Sequence, residues 1–260
     1  MNNNSHYLPN NNLTQHDQDE LNEKYQIRNF FNHQRDGICV EVGSNDPTSI
    51  CSQSWHLEKE LGWRCILIEP IPRLAQKAID SRSNSIVFEV ACTSPNNMNK
   101  MVLNIPLDKQ NSEVTGHASL EKNADEHNYD EHNRIEVKTM TLNNVLQSRK
   151  INSIDFLSID VEGTEMDVLL GLDFNHYRPK LILLEDKHLF LKKHLFLKQK
   201  KYKLAQRLNR NCWYIPKELE FNSPLTIEKL KLFKRMYVSI WFKKIQYSLR
   251  HKTLSPFKTL

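Results

Sequence analysis

Glycine is scarce in this chain, 6 residues of 260, which excludes a fibrous or collagen-like architecture and any repeated glycine-rich loop. Long apolar runs are absent as well. No stretch of about 18 apolar residues occurs, so no transmembrane helix is expected. The N-terminal MNNNSHYLPNNNLTQHDQ has no apolar core of the kind a secretory signal needs, and residues 1–16 read as a disordered Asn-rich leader. The five cysteines are odd in number and include no CxxC pair, so they support neither a disulfide framework nor a zinc knuckle. Cys39 and Cys65 lie inside apolar runs, where cysteine acts as a small hydrophobe. A reducing, cytoplasmic setting fits this usage.

Acidic residues are missing from one end. From Lys187 onward there are 19 Lys or Arg against three acids, whereas the first 186 residues carry 17 basic and 28 acidic side chains. The modest net charge of +5 therefore hides a basic C-terminal third. Residues 226–252 read as a basic amphipathic helix with Leu230, Phe233, Met236, Tyr237, Ile240 and Trp241 as its apolar positions. Three readings of it stand, in descending order: a helix packed on the core, peripheral association with an anionic membrane surface, and binding to nucleic acid.

Between these ends the pattern is regular. ICVEV (38–42), RCILIE (64–69), SIVFEVA (85–91), IDFLSI (154–159) and KLILLE (180–185) are short, apolar and rich in β-branched residues. Helical stretches at 53–61, 73–81, 142–150 and 165–171 separate several of them, and a further helix is expected over 17–34. Near-continuous apolar strands alternating with helices predict an α/β fold, a mostly parallel sheet with helices on both faces. The segment 93–140 interrupts the alternation with two extra strands, 101–105 and 134–138, and a long polar loop between them. YKLAQRL and CWYIP predict a closing pair of strands. The expected organisation is a leader (1–16), a catalytic domain (17–220) and a basic helical extension (221–260).

In open α/β sheets, ligands bind beyond the carboxyl ends of the strands. The first run ends in EVGSND, where Glu41 lies at the strand end, Gly43 permits close backbone approach and Asn45 tolerates a tight turn. The second run ends in Glu69, an acid placed to accept ribose hydroxyls in a nicotinamide or an S-adenosylmethionine (SAM) site alike. GSNDPT lacks the second and third glycines of a pyrophosphate cradle, which weighs against a dinucleotide. The fourth run ends in SIDVEGTEMDVLLG. On extended backbone Asp160 and Glu162 would point the same way, and Thr164 with Asp167 resembles a capping box. With Glu185 and Asp186 at the end of the fifth run, these carboxylates could ligate a hard cation such as Mg²⁺, or act as base and orienting group toward a hydroxyl. The segment DEHNYDEH (125–132) places His127 and His132 five residues apart, unlike the i, i+4 spacing of helical metal motifs, and reads as a solvated turn. HLFLKKHLFLK (188–198) reads as a buried-and-basic helix.

Taken together, EVGSND, LEKELGWRCILIEPIP, IDFLSIDVEGTEMDVLLGLDF and RPKLILLED resemble the FkbM-type methyltransferases over roughly residues 35–215. The resemblance implies a Rossmann-like class I methyltransferase with a seven-stranded sheet, SAM as methyl donor, and O-methylation of sugar hydroxyls in a glycan, glycolipid or related metabolite. It implies that Glu41, Gly43 and Asn45 line the methionine side of SAM, that Glu69 holds the ribose, and that Glu89 to Ala91 flank the adenine. Asp160 and Glu162 would face the reaction centre, with Asp160 also bordering the cofactor. HASLE resembles a family loop, which makes His117 and Ser119 candidate substrate contacts. Two positions depart from the pattern: Pro47 stands where the family commonly has Gly, and Asn143 where an acid is often seen. Proline fixes φ near −65°, so no left-handed turn can form at 47. An RNA or nucleotide-sugar methyltransferase, and a non-catalytic SAM-binding module, are the alternative readings of the same fold.

Overall fold

The structure is a computed structural model. It describes residues 13–120, 129, 131–186, 191–221, 230, 233–239, 241, 242 and 245. The chain divides into two compact units, Met1–Lys180 and Leu181–Leu260.

The first unit opens with helix α1 (Gln15–Phe30), which starts two residues earlier than the apolar spacing predicts because Thr14 and Asp17 form a capping box. Strand β1 (Ile38–Val42) then leads through α2 (Trp55–Leu61) to β2 (Arg64–Ile68), and α3 (Pro72–Ser81) leads to β3 (Ser85–Phe88). Gly62 ends α2 in the left-handed conformation and Pro72 opens α3, the usual asymmetry of helix ends. After β4 (Ala91–Cys92), β5 (Lys100–Pro106) and β6 (His132–Met140), helix α4 (Leu142–Ser148) precedes β7 (Phe156–Ile159) and α5 (Glu165–Leu170). Strands β3, β2, β1 and β7 lie side by side in that order, all parallel. Apart from the outermost, β3, they are almost wholly buried, as strands covered on both faces must be.

The second unit holds β8 (Leu181–Glu185), α6 (Leu191–Gln199), β9 (Tyr202–Leu208) and β10 (Asn211–Pro216), with β10 antiparallel to both β8 and β9. The fold is of the Rossmann-like α/β class, with four parallel strands side by side in the first unit and three further strands in the second. Cys39 and Cys65 are buried partners across β1 and β2, and all five cysteines are free thiols.

One predicted strand is divided. The run 85–91 forms β3 in the main sheet and, after a break at Glu89 and Val90, β4 in a separate three-stranded sheet ordered β4-β6-β5. Apolarity is continuous across the break, but the hydrogen-bonding partners change from β2 to β6. The small sheet packs Leu103, Ile105 and Val137 against Ile71 and Leu74 at the start of α3. That contact brings the 93–140 insertion to the carboxyl end of β2.

The leader to residue 12, most of DEHNYDEH, residues 188–190 of the HLFLKKHLFLK repeat and most of the C-terminal segment lie outside the described residues. Within that segment, Lys234–Ser239 form a π-helical turn. Among the described residues no helix is long and apolar enough to cross a membrane.

Candidate active site

The loop that follows β1 is the centre of the site. Gly43 has φ of +82°, and a Cβ there would lie 1.8 Å from the Asp160 carbonyl oxygen. Its glycine is therefore required by a neighbouring strand end rather than by a ligand: the chain leaving β1 passes directly against the chain leaving β7. Backbone hydrogen bonds hold this crossing, Asp160 N–H to the Val42 carbonyl at 3.0 Å and Gly43 N–H to the Ile68 carbonyl at 2.9 Å. The left-handed turn that Pro47 forbids occurs two residues earlier, at Asn45 with φ of +45°; asparagine tolerates that region better than most residues.

Glu69, just beyond β2, binds this loop directly. Its carboxylate accepts from Asn45 N–H at 2.7 Å and from Ile71 N–H at 2.9 Å. Burial pushes its pKa from 4.5 up to about 7, despite these two hydrogen bonds and the nearby Arg73 guanidinium. A carboxylate offers about four lone-pair sites, so acceptor capacity remains for two ribose hydroxyls. Ser44 adds a buried hydroxyl that has no hydrogen-bond partner among the described residues. A carboxylate with spare acceptor sites and an unsatisfied buried hydroxyl fit a nucleoside-bearing cofactor in this cleft.

Glu41 is placed differently. It is buried, and its two oxygens accept from Ser52 Oγ at 3.1 Å, Gln53 N–H at 2.6 Å and Ser54 Oγ. It thus anchors the far end of the loop it begins. Glu89 is exposed in the break after β3, and Ala91 is buried in β4.

Strand β7 ends at Ile159, and the backbone beyond it is not extended. Glu162 has φ of +51° and Gly163 φ of +109°, so the chain turns sharply before α5. The strand-alternation argument for Asp160 and Glu162 therefore fails, yet their carboxylates come within 4.8 Å of each other through the turn. Asp160 is exposed and Glu162 half-buried. Thr164 precedes α5 without a side-chain capping bond. Glu165 accepts from Gly163 N–H at 2.8 Å, and the Thr164 hydroxyl donates to the Val161 carbonyl at 3.5 Å. Asn143 enters α4 near its start, its N–H bonded to the Gly171 carbonyl at 2.9 Å.

The insertion reaches the same loops. Thr115 Oγ1 donates to Asn45 Oδ1 at 2.9 Å, and Ser119 Oγ donates to the Glu162 carbonyl at 2.6 Å. Arg73 at the start of α3 pairs with Glu113 at 2.6 Å. Residues 113–119 thus form a strap tied to the β1 loop, to α3 and to the β7 turn. His117, the other candidate in this loop, stands 3.2 Å from the Tyr129 hydroxyl. Ser119 was visible in the sequence; Thr115 carried no signal, since its role depends on a partner 70 residues away.

In the second unit, Glu185 ends β8 and is buried. Asp186 is buried too, paired with the buried Lys193 at 3.6 Å, while its backbone carbonyl accepts from Arg207 at 3.0 Å.

A glycine turn after β1, an acid after β2 and a carboxylate pair after β7 thus stand at the carboxyl ends of the parallel strands, where ligands of α/β folds bind. Comparison with known families matches the methyltransferase FkbM domain over residues 41–204. The chain belongs to the FkbM methyltransferase family, in which SAM is the methyl donor. No curated protein matches it. Among solved structures it is similar to a SAM-dependent methyltransferase from Aquifex aeolicus, at 9% identity and a TM-score of 0.38, covering 75% of this chain and 89% of that one. It is also similar to precorrin-6y C5,15-methyltransferase from Geobacter metallireducens GS-15, at 11% identity and a TM-score of 0.38, covering 83% and 96%.

Proposed function

We propose that the chain is an O-methyltransferase acting on a sugar hydroxyl of a glycan, glycolipid or related metabolite. The observation that carries this reading is the pair Asp160 and Glu162, two carboxylates within 4.8 Å of each other at the end of β7, one of them exposed. Bound SAM supplies an electrophilic methyl group. Glu69 and the Gly43–Asn45 loop hold and orient its nucleoside and methionine parts, so the site contributes chiefly proximity and alignment. Asp160 receives the acceptor hydroxyl's proton, and Glu162 orients that hydroxyl or shares a hard divalent cation such as Mg²⁺ with Asp160. Glu185 and Asp186 are further candidate ligands for that cation on sequence grounds.

The test is transfer of labelled methyl from SAM into fractionated cell extract, followed by glycan analysis. Label in carbohydrate is the expected result. Label in RNA would overturn the acceptor class and leave the methyl transfer standing, and SAM binding without transfer to any fraction would favour a non-catalytic module. In the same assay, Asp160→Asn is expected to keep SAM affinity while turnover falls on the order of 100-fold. Unchanged turnover would remove Asp160 from the chemistry. Loss of turnover on chelation, restored by Mg²⁺, would assign the cation role.

We also propose that the basic C-terminal segment associates with anionic membrane. Its described apolar side chains Leu230, Phe233, Val238, Trp241, Phe242 and Ile245 are exposed, interleaved with lysines in the sequence, a combination suited to an anionic interface. The full chain is expected to co-sediment with phosphatidylserine vesicles and to be released by salt. Equal recovery with neutral phosphatidylcholine vesicles, or none with either, would overturn this.

A further inference from the structure

One buried cation stands behind the cofactor loop and takes no part in the chemistry above. Arg82, the C-cap of α3, has a side chain with 0% exposure. Its Nε donates to Glu58 Oε2 at 2.7 Å, one terminal nitrogen donates to the Pro47 carbonyl at 2.7 Å and more distantly to Ser52 Oγ at 3.5 Å, and the other donates to Ser54 Oγ at 2.9 Å. Ser54 passes the connection on by donating to Glu41. The guanidinium also lies over the Trp55 ring, 5.0 Å from its centroid. The planar fork of arginine meets these acceptors together, which a lysine ammonium on a single stem cannot do.

The placement of these contacts is what matters. Three consecutive loop residues are tied to the start, middle and end of one structural segment. Asn45 is held by Glu69, just before α3; Asp46 pairs with Lys77, in its middle, at 2.7 Å; and Pro47 is held by Arg82 at its end. The Asp46–Lys77 pair is exposed on both sides and contributes little. The Arg82 contacts are buried, where a charged hydrogen bond counts most.

We propose that Arg82 is a positioning residue for the methyl donor: by holding Pro47, Ser54 and, through Ser54, Glu41, it fixes the path of residues 43–54 and hence the placement of Ser44 and Asn45 against Glu69. This rests on the assignment of that loop as the SAM site. Arg82 touches no part of the cofactor and acts only through the loop. Pro47, with its fixed φ, contributes rigidity, and Arg82 holds that rigid stretch in place through its carbonyl.

Calorimetric SAM binding and amide hydrogen exchange, the latter without SAM, test this on the full chain. Arg82→Lys is expected to weaken SAM binding about tenfold, ~1.4 kcal/mol, and to speed exchange at residues 45–53. Arg82→Met, which removes every donor, is expected to weaken binding further, so that lysine counts as a partial rescue. Val145→Ala in α4, a buried site outside the loop, serves as a control for general destabilisation and is expected to leave both readouts at wild-type values. Wild-type affinity and loop exchange in Arg82→Lys would overturn the proposal and leave the SAM assignment intact. Equal weakening in the Val145→Ala control would overturn it too. Absence of SAM binding in the wild type would instead remove the assignment on which it rests.

Discussion

Gly43→Ala is expected to abolish SAM binding and to lower the stability of the first unit by more than about 4 kcal/mol, a loss of exceptional size for one methyl group. Two costs combine. An alanine at φ of +82° sits in the left-handed region at a cost of roughly 1–2 kcal/mol. The larger cost is steric, since the added Cβ would lie 1.8 Å from the Asp160 carbonyl oxygen and 2.9 Å from its carbonyl carbon. Both are backbone atoms, so no rotamer change relieves the overlap. The ends of β1 and β7 must part, which breaks the Asp160-to-Val42 hydrogen bond and displaces Asp160 and Asn45 together. Thermal unfolding and calorimetric SAM binding check this. A variant with wild-type melting and affinity would show that the two strand ends do not meet as described.

Glu69→Gln is expected to separate cofactor binding from stability. Hydrogen bonds to a charged group contribute about 1.5–3 kcal/mol each, so losing the charge toward two ribose hydroxyls weakens SAM binding roughly 100-fold or more. Stability behaves otherwise, because the fold gains nothing from ionising this group. Its folded pKa, about 7, lies above the ordinary 4.5, so the folded state holds the extra proton between those values. Its contribution to stability is therefore greatest below about pH 4.5, falls as pH rises, and reaches its full penalty of ~3 kcal/mol above pH 7. Glutamine removes that penalty but leaves an acceptor for only one of the two N–H groups, Asn45's on Oε2 or Ile71's on Oε1, and turns a donor toward the other. The variant should lose the fall in stability between pH 4.5 and 7, standing below the wild type at acid pH, where one of those N–H groups lacks its acceptor, and closest to it at pH 8. SAM affinity in the wild type should rise with pH through about 7, as the carboxylate becomes the better acceptor, and be flat in the variant. Retained affinity with a wild-type pH profile would remove Glu69 from the cofactor site.

How much of this was legible beforehand differs by element. The strands β1, β2, β7 and β8 were predicted to within a residue or two, because a strand buried on both faces needs an apolar run and little else in these sequences supplies one. The helices between them were predicted as well, with α1 extended by a cap. Glu69 stands out in the sequence because an acid ending the second strand of an α/β fold has a recurrent use, and the structure ties it to the loop after β1. Gly43 does permit a close approach, but the group that approaches is the Asp160 backbone, a partner far along the chain that no local motif marks. Asp160 and Glu162 do come together, but through a left-handed Glu162 rather than through strand alternation. The run 85–91 misled because its apolarity is continuous while its hydrogen-bonding partners change.

What the sequence determined by itself is therefore the class of the chain and the residues at its strand ends. Those follow from local periodicity and from short motifs, which depend on neighbours a few positions apart. The tertiary structure decided how the loop after β1 is held. Asn45 meets Glu69 across 24 residues, Pro47 meets Arg82 across 35, Asn45 meets Thr115 across 70, and Ser119 meets Glu162 across 43. Each of these joins a backbone group or short polar side chain to a partner on a different element, and such a bond exists only once the apolar strands and helices have brought the two ends within about 3 Å. No periodicity marks residues of that kind, because their role is set by the packing of the elements that carry them.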